Sequence, residues 1–454
     1  MLLPVTGILF LISCNNQNKQ KAEESETTES FVKHPDWSKN ANIYEVNIRQ
    51  YTKEGTFKAF EKHLPRLKEM GVDILWLMPI FPIGEKNRKG TMGSYYAVKD
   101  YMAVNPEFGT MEDFKDLVKK AHDMGFKVIL DWVANHTAWD NQMIYEHPDW
   151  YTEDSTGKMV SPYDWTDVAD LNYDNQGLRD YMMEALKFWV EQADIDGYRC
   201  DVAGMVPTDF WDRAREQLDN IKPVFMLAEA EQVDHHEKAF DMSYAWELHH
   251  IMNQIAKGEK NANDIEIYME KQDTLYPANA YRMIFITNHD ENSWNGTVNE
   301  RMGEGAKAFA VLTYTLPGMP LIYSGQEVGL DKRLEFFEKD EIDWDFDSSL
   351  VKFYTNLNHL KSENKALWNG EYGGELKRIK TSDDESVFAF IREKEGNQIF
   401  VITNLTDKPV SVTLFGKDYS GIYIDVFSGE EKIFGNNAEL EIKPWGFLTS
   451  KRFA

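Results

Sequence analysis

Cysteine is almost missing from this chain: 454 residues contain two, Cys14 and Cys200. That excludes the disulfide framework of a small secreted scaffold, so a fold of this length must rest on a hydrophobic core. Basic residues are also scarce, 49 Lys and Arg against 76 Asp and Glu, and the formal charge is −27. A surface of that sign repels phosphate backbones and anionic lipid heads over a Debye length, which argues against nucleic acid as a partner. The mean hydropathy of −0.53 excludes a multi-span membrane protein. No internal repeat is visible beyond an alternation of strand and helix patterns.

What is present is apolar and aromatic. Hydrophobic residues make up 42% of the chain, enough for a large core, and Trp, Tyr and Phe number 13, 21 and 26. Most of these must be core, although aromatic faces also suit neutral sugar rings. The first 14 residues, MLLPVTGILFLISC, form an apolar run too short to span a bilayer. Leu11-Ile12-Ser13-Cys14 resembles a lipobox, which implies lipidation of Cys14 after cleavage and an exported, membrane-anchored lipoprotein, periplasmic or at the cell surface. No Lys or Arg precedes the run, and an ordinary cleaved export signal is the alternative. Residues 15–38 read as a flexible tether, because 15–30 carry no large apolar residue to offset ordering entropy.

From about residue 41, short β-branched and aromatic runs alternate with helical periodicity, the pattern of repeated β/α units. Eight strands are expected, at Ile43–Arg49, Ile74–Pro79, Lys127–Val133, Gly197–Val202, Val224–Glu229, Met242–Glu247, Arg282–His289 and Pro320–Gly325. Thr110 and Asp113 predict a capping box for a helix Met111–Met124 that stops at Gly125. Leu178, Met182, Ala185, Leu186, Trp189 and Val190 form one apolar helical stripe. The fold class is therefore α/β: a (β/α)8 TIM barrel over 39–360, with a small subdomain inserted after strand three at about 137–174. From 361 to 454 alternating strands predict a C-terminal all-β sandwich.

Working residues of such barrels lie at the carboxyl ends of the strands, and here those ends are polar. Strand three ends Asp131-Trp132-Val133-Ala134-Asn135-His136, strand four Arg199-Cys200-Asp201, strand five Ala228-Glu229 and strand seven Asn288-His289-Asp290. Three carboxylates, an Arg and two His in one partly buried mouth are costly unless chemistry needs them. Singly, each Asp or Glu could cap a helix and each His satisfy a backbone carbonyl.

These four segments, in this order, resemble the conserved regions of the α-amylase family of glycoside hydrolases. The resemblance covers nearly the whole chain after the tether. It implies Asp201 as nucleophile, Glu229 as general acid and base, Asp290 as the third carboxylate, Arg199 as the group orienting the nucleophile, and His136 and His289 as donors to sugar hydroxyls. Tyr96, in Gly93-Ser94-Tyr95-Tyr96, resembles the family's stacking platform, although Tyr95 stands where the family has Gly. Asp170-Leu171-Asn172 resembles a further region, which makes Asn135 and Asp170 candidate ligands of a structural Ca²⁺, with a hydrogen-bonding strut as the alternative. The family's Gly-rich calcium loop is missing from Gln50–Phe60, and Val202-Ala203-Gly204-Met205 replaces the Lys-His that commonly follows the nucleophile.

The implied activity is retaining hydrolysis of α-1,4-glucosidic bonds in starch or maltodextrins, with an α-glucan partner and no organic cofactor. A cyclomaltodextrinase- or neopullulanase-like enzyme, or a transglycosylase, is the near alternative. A non-catalytic glucan-binding protein is the distant one. Trp445 in the C-terminal domain could touch starch, or the domain could merely shield the barrel.

Overall fold

The computed structural model describes residues 32–344 and 348–453. Cys14 and residues 15–31 of the expected tether lie outside that range. Eight parallel strands close into a barrel in the order β1-β8-β7-β6-β5-β4-β3-β2. They are β1 (Ile43–Val46), β2 (Ile74–Leu77), β3 (Lys127–Val133), β4 (Gly197–Asp201), β5 (Phe225–Ala228), β6 (Met242–Tyr244), β7 (Tyr281–Ile284) and β8 (Met319–Tyr323).

Strand alternation sorts the side chains. Ile43, Ile74, Trp76, Ile129, Phe225, Leu227, Met242, Met283 and Leu321 fill the barrel interior. Their neighbours, such as Tyr44, Leu75, Val128 and Leu130, face the helices in a second, larger core. Gly197 opens β4 at φ 149°, where a Cβ would sit 1.9 Å from the Phe225 carbonyl oxygen, so only glycine lets β4 approach β5.

Helices follow local chemistry. Thr110 and Asp113 form the capping box that starts Met111–Asp123. The helix Gln176–Ala193 buries Leu178, Met182, Ala185, Leu186, Trp189 and Val190 against the barrel. After β3 the chain leaves the β/α pattern. His136–Ala138 pairs antiparallel with Val168–Asp170, forming the base of the inserted segment over the barrel mouth.

Residues 32–38, at the end of the stretch read as tether, are instead packed on the foot of the barrel. His34 Nδ1 meets Asp241 Oδ1 at 2.7 Å, its ring stacks on Tyr281, and Trp37 packs under the barrel interior. Arg215 holds Asp241 from the other side at 2.7 Å. The short apolar content of 15–30 concealed this, because the residues that anchor, His34 and Trp37, come just after it.

The helix Ser348–Glu363 leads into the C-terminal domain. There a six-stranded antiparallel sheet runs in the order Leu376–Ile379, Val387–Lys394, Asn397–Asn404, Phe447–Phe453, Gly421–Asp425, Glu431–Phe434. A second ribbon, Val410–Thr413 with Glu439–Ile442, closes a core of Ile379, Val387, Phe400, Val412, Leu414 and Tyr423. Trp445 is not a free platform: its ring packs on Phe309 of the barrel at 5.9 Å. Arg392 fastens the domain, donating to the carbonyls of Gly374 at 2.8 Å and Thr315 at 3.0 Å.

Candidate active site

At the carboxyl ends of the strands one guanidinium organises the mouth. Arg199 lies on the inner face of β4, fully buried. Its Nη1 donates to Asp131 Oδ1 at 2.8 Å and to Asp201 Oδ1 at 2.9 Å, while Nη2 pairs with Glu229 Oε2 at 2.7 Å. Nε donates to the Tyr244 hydroxyl at 3.1 Å. The register explains the gathering: Asp131 pairs across the ladder with Arg199 and Val133 with Asp201, and Cys200 with Ala228, the residue before Glu229.

Arg199 therefore holds Asp201 but does not single it out; it is shared with Asp131 and Glu229. A second contact holds Glu229, whose Oε2 accepts the Val202 backbone N–H at 2.8 Å. Val202 sits at φ 37°, ψ 45°, a conformation that a β-branched residue adopts only under strain. The strain turns the chain directly after Asp201.

Burial raises Asp201 well above the usual carboxylate range, Arg199 opposes it, and the nearby Glu229 charge pushes the same way as burial. Burial likewise raises Glu229, again against Arg199. Two buried carboxyls on one cation oppose each other's ionisation.

The remaining sequence candidates converge on the same cleft, a cavity of about 520 Å³ that includes Tyr96, His136, Asp201, Glu229, His289 and Asp290 in its lining. The Tyr96 hydroxyl donates to Asp131 at 3.0 Å and sits 2.8 Å from His289 Nε2. Tyr95 instead turns away, with the Arg49 guanidinium 4.2 Å over its ring. His289 Nε2 lies 3.3 Å from Asp290 Oδ2 and Nδ1 bonds Glu45. Burial alone would lower the His289 imidazole, but Asp290 and Glu45 carry it up to about 9. Burial pushes His136 down to about 3, so its ring is neutral and has one N–H to give.

Several cleft residues escaped the sequence reading. Asp131 and Glu45 are fully buried beneath the mouth, and Trp76 Nε1 donates to Asp131 at 3.1 Å. Their signal was parity: Glu45 and Asp131 each stand two residues after an inward-facing Ile. Trp165, Trp294, Phe336 and Phe337 line the rim, and Phe336 lies nearly parallel to Tyr96. Trp165, Phe336 and Phe337 come from loops and Trp294 from the single helical turn Glu291–Asn295, and no periodicity marks them.

Asn135 and Asp170 do meet, but face each other: Asn135 Nδ2 donates to Asp170 Oδ1 at 3.3 Å. Ca²⁺ takes six to eight oxygen ligands. One carboxylate whose partner presents an N–H falls short of that set. Among the described residues no three His, Cys, Asp or Glu side chains converge as metal ligands. The pair fits the strut better than the ion. Cys200 is buried on the outer face of β4, and burial raises its thiol well above the usual range, so it takes no part.

The alpha amylase catalytic-domain family matches residues 18–364. The chain belongs to the α-amylase family of glycoside hydrolases. Residues 378–448 match the C-terminal domain of maltogenic amylases. The fold resembles a maltogenic α-amylase from Thermotoga neapolitana with a TM-score of 0.83 and 31% identity, covering 91% of this chain and 99% of that one. An α-amylase from Lactobacillus plantarum gives 0.82 and 30%, over 92% and 99%. In sequence the chain is 28% identical to α-amylase MalA of Haloarcula japonica over 87% of its own length, and spans 59% of that relative. It is 26% identical to neopullulanase 2 of Thermoactinomyces vulgaris, over 90% of this chain and 76% of the relative. This α-amylase family member is thus a glycoside hydrolase built on a TIM barrel.

Proposed function

We propose that the enzyme hydrolyses α-1,4-glucosidic bonds of starch and maltodextrins with retention of configuration. The observation that carries this reading is the single Arg199 guanidinium touching both Asp201 and Glu229. Carboxyls held by one guanidinium suit the short separation of retaining enzymes, about 5–5.5 Å.

Asp201 attacks carbon one as its bond to the leaving oxygen breaks, and Glu229 gives that oxygen its proton. Glu229 then takes a proton from water, whose oxygen displaces Asp201 from the sugar. The substrate decides which of the two carboxyls carries a proton. The glycosidic oxygen is an acceptor, so it favours the state with the proton on Glu229 and the charge on Asp201 beside Arg199. Asp290 and the two His bind the hydroxyls of the same sugar, with Tyr96 under its ring.

A cyclomaltodextrinase- or neopullulanase-like preference for cyclic and short substrates is the second reading. The C-terminal match to maltogenic amylases and the neopullulanase likeness favour it. Product chromatography on amylose, pullulan and cyclodextrins separates the two, and exclusive release of maltose from cyclodextrins would favour the second. Glu229→Gln is expected to lower kcat on maltoheptaose by about 10² to 10⁴ while the Tm stays close to wild type. Near-normal turnover would remove Glu229 from the mechanism and favour a different acid.

Export as a lipoprotein through Cys14 belongs to the same proposal, supported by the Leu11-Ile12-Ser13-Cys14 pattern. Palmitate labelling that persists in Cys14→Ser would overturn the assignment.

A further inference from the structure

Beneath the mouth, β1 carries a carboxylate that has no surface of its own. Glu45 is fully buried and does not line the cleft, and Ile43, on the same face of its strand, packs into the apolar barrel interior. A carboxylate in such surroundings is costly unless it is paired. Its side-chain partner is His289, whose Nδ1 meets Oε1, while Oε2 has no hydrogen-bond partner among the described residues.

Counting hydrogens fixes the state of that imidazole. Asp131 accepts from Arg199 at Oδ1, at 2.8 Å, and from Trp76 Nε1 at Oδ2, at 3.1 Å. It is held as a carboxylate, and the Tyr96 hydroxyl gives it its only hydrogen at 3.0 Å. The Tyr96 oxygen is then left to accept from His289 Nε2, 2.8 Å away, so Nε2 carries a hydrogen. A second hydrogen lies between Nδ1 and Glu45, and the imidazole is the stronger base of the two. His289 is therefore an imidazolium with Glu45 as its counter-ion.

The other groups around the ring support the same state in sum. Burial disfavours the cation, Asp290 and Glu45 outweigh it, and Arg199 on β4 opposes them. Asp290 Oδ2 stands 3.3 Å from Nε2, and Asp131 on β3 and Glu229 after β5 also favour a positive ring. Trp76 and Phe336 pack on it and carry no charge.

We propose that Glu45 is a positioning residue for the hydrolysis: untouched by substrate, it keeps His289 doubly protonated, so that the Nε2 hydrogen is available to a sugar hydroxyl in the cleft that His289 lines. The proposal rests on the glucan reading for the ligand and on the hydrogen count for Glu45. A donor on a cation bonds about twice as strongly as a neutral one. Because Nδ1–H faces the carboxylate, the hydrogen lost at high pH is the one on Nε2. The ring then becomes an acceptor where the sugar needs a donor.

The test combines ring NMR with kinetics on the full chain. In wild type labelled with 15N-histidine, both ring nitrogens of His289 are expected to be protonated at about pH 8, where an ordinary histidine is neutral; the signals are assigned by their loss in His289→Gln. In Glu45→Gln the ring is expected to be neutral at that pH. The basic limb of kcat/KM on maltoheptaose should then move to lower pH by about one unit or more, a loss of about tenfold on that limb, while activity approaches wild type at more acid pH. Glu45→Asp keeps the charge, so its limb should stay in place while kcat falls. A neutral His289 in the wild type would overturn the proposal whether or not the variants fold. Equal losses at every pH in Glu45→Gln would do the same, since packing alone acts that way. No turnover of maltoheptaose by the wild type would sink the glucan reading, and the protonation of His289 would still decide the part played by Glu45.

Discussion

At the scale of residues, the mouth is built around one buried cation serving three carboxylates. Truncating one partner of a buried charge network costs about 3–5 kcal/mol, because the charges left behind are uncompensated. Arg199→Met is expected to cost that much and also to shift catalysis. Arg199 draws Asp201 down against burial, so without it the carboxyl ionises later and the acid limb of kcat/KM moves to higher pH. An unmoved limb would show that Arg199 acts on packing only. His289 gives the opposite sign. Its folded-state value of about 9 lies above the ordinary 6.5, so the stabilisation is complete below pH 6.5 and fades as pH rises through 9. The Tm of the wild type should fall over that window more steeply than that of His289→Gln; parallel curves would contradict the pairing with Glu45 and Asp290. Asp201, Glu229, Asp290 and both His were legible because polar residues at strand ends are out of place. Glu45 and Asp131 were not, since a carboxylate inside a short strand is read as one side of an alternation, and only the closed barrel shows which side is inward.

At the scale of elements, local signals and tertiary demands mostly agree. The Thr110–Asp113 box satisfies reciprocal N–H groups at the start of Met111–Asp123, and its loss is worth about 1 kcal/mol. Thr110→Ala should therefore lower the Tm by a few degrees without changing kcat; no change in Tm would show that packing alone sets that helix. All eight strands were visible, but their ends were not. The run Ile43–Arg49 looks like one strand because Ile43, Tyr44, Val46 and Ile48 carry β propensity, yet Asn47 accepts the Gln50 N–H and turns the chain into a short helix, Ile48–Tyr51. On β7 the ladder stops at Ile284, and Phe285–His289 continues inward without pairing to deliver His289 and Asp290. Strand propensity cannot mark that departure, because the residues stay apolar up to Ile286.

At the scale of the whole molecule, the barrel supplies a rigid ring of strand ends, the inserted segment supplies a wall, and the C-terminal domain is riveted on by Arg392. That arginine is buried against backbone carbonyls, with no ion pair to a carboxylate among the described residues, and burial brings it down to about 9. The architecture was legible from strand count and periodicity; the aromatic rim of Trp165, Trp294, Phe336 and Phe337 was not, since these aromatics acquire a shared purpose only when distant segments meet. The central claim is that Asp201 and Glu229 act together on one bond through a covalent sugar intermediate. Proton NMR of the anomeric signals during the first moments of maltoheptaose hydrolysis tests it most directly. The account predicts that the newly formed reducing end appears as the α anomer and only later mutarotates; first appearance as the β anomer would contradict it.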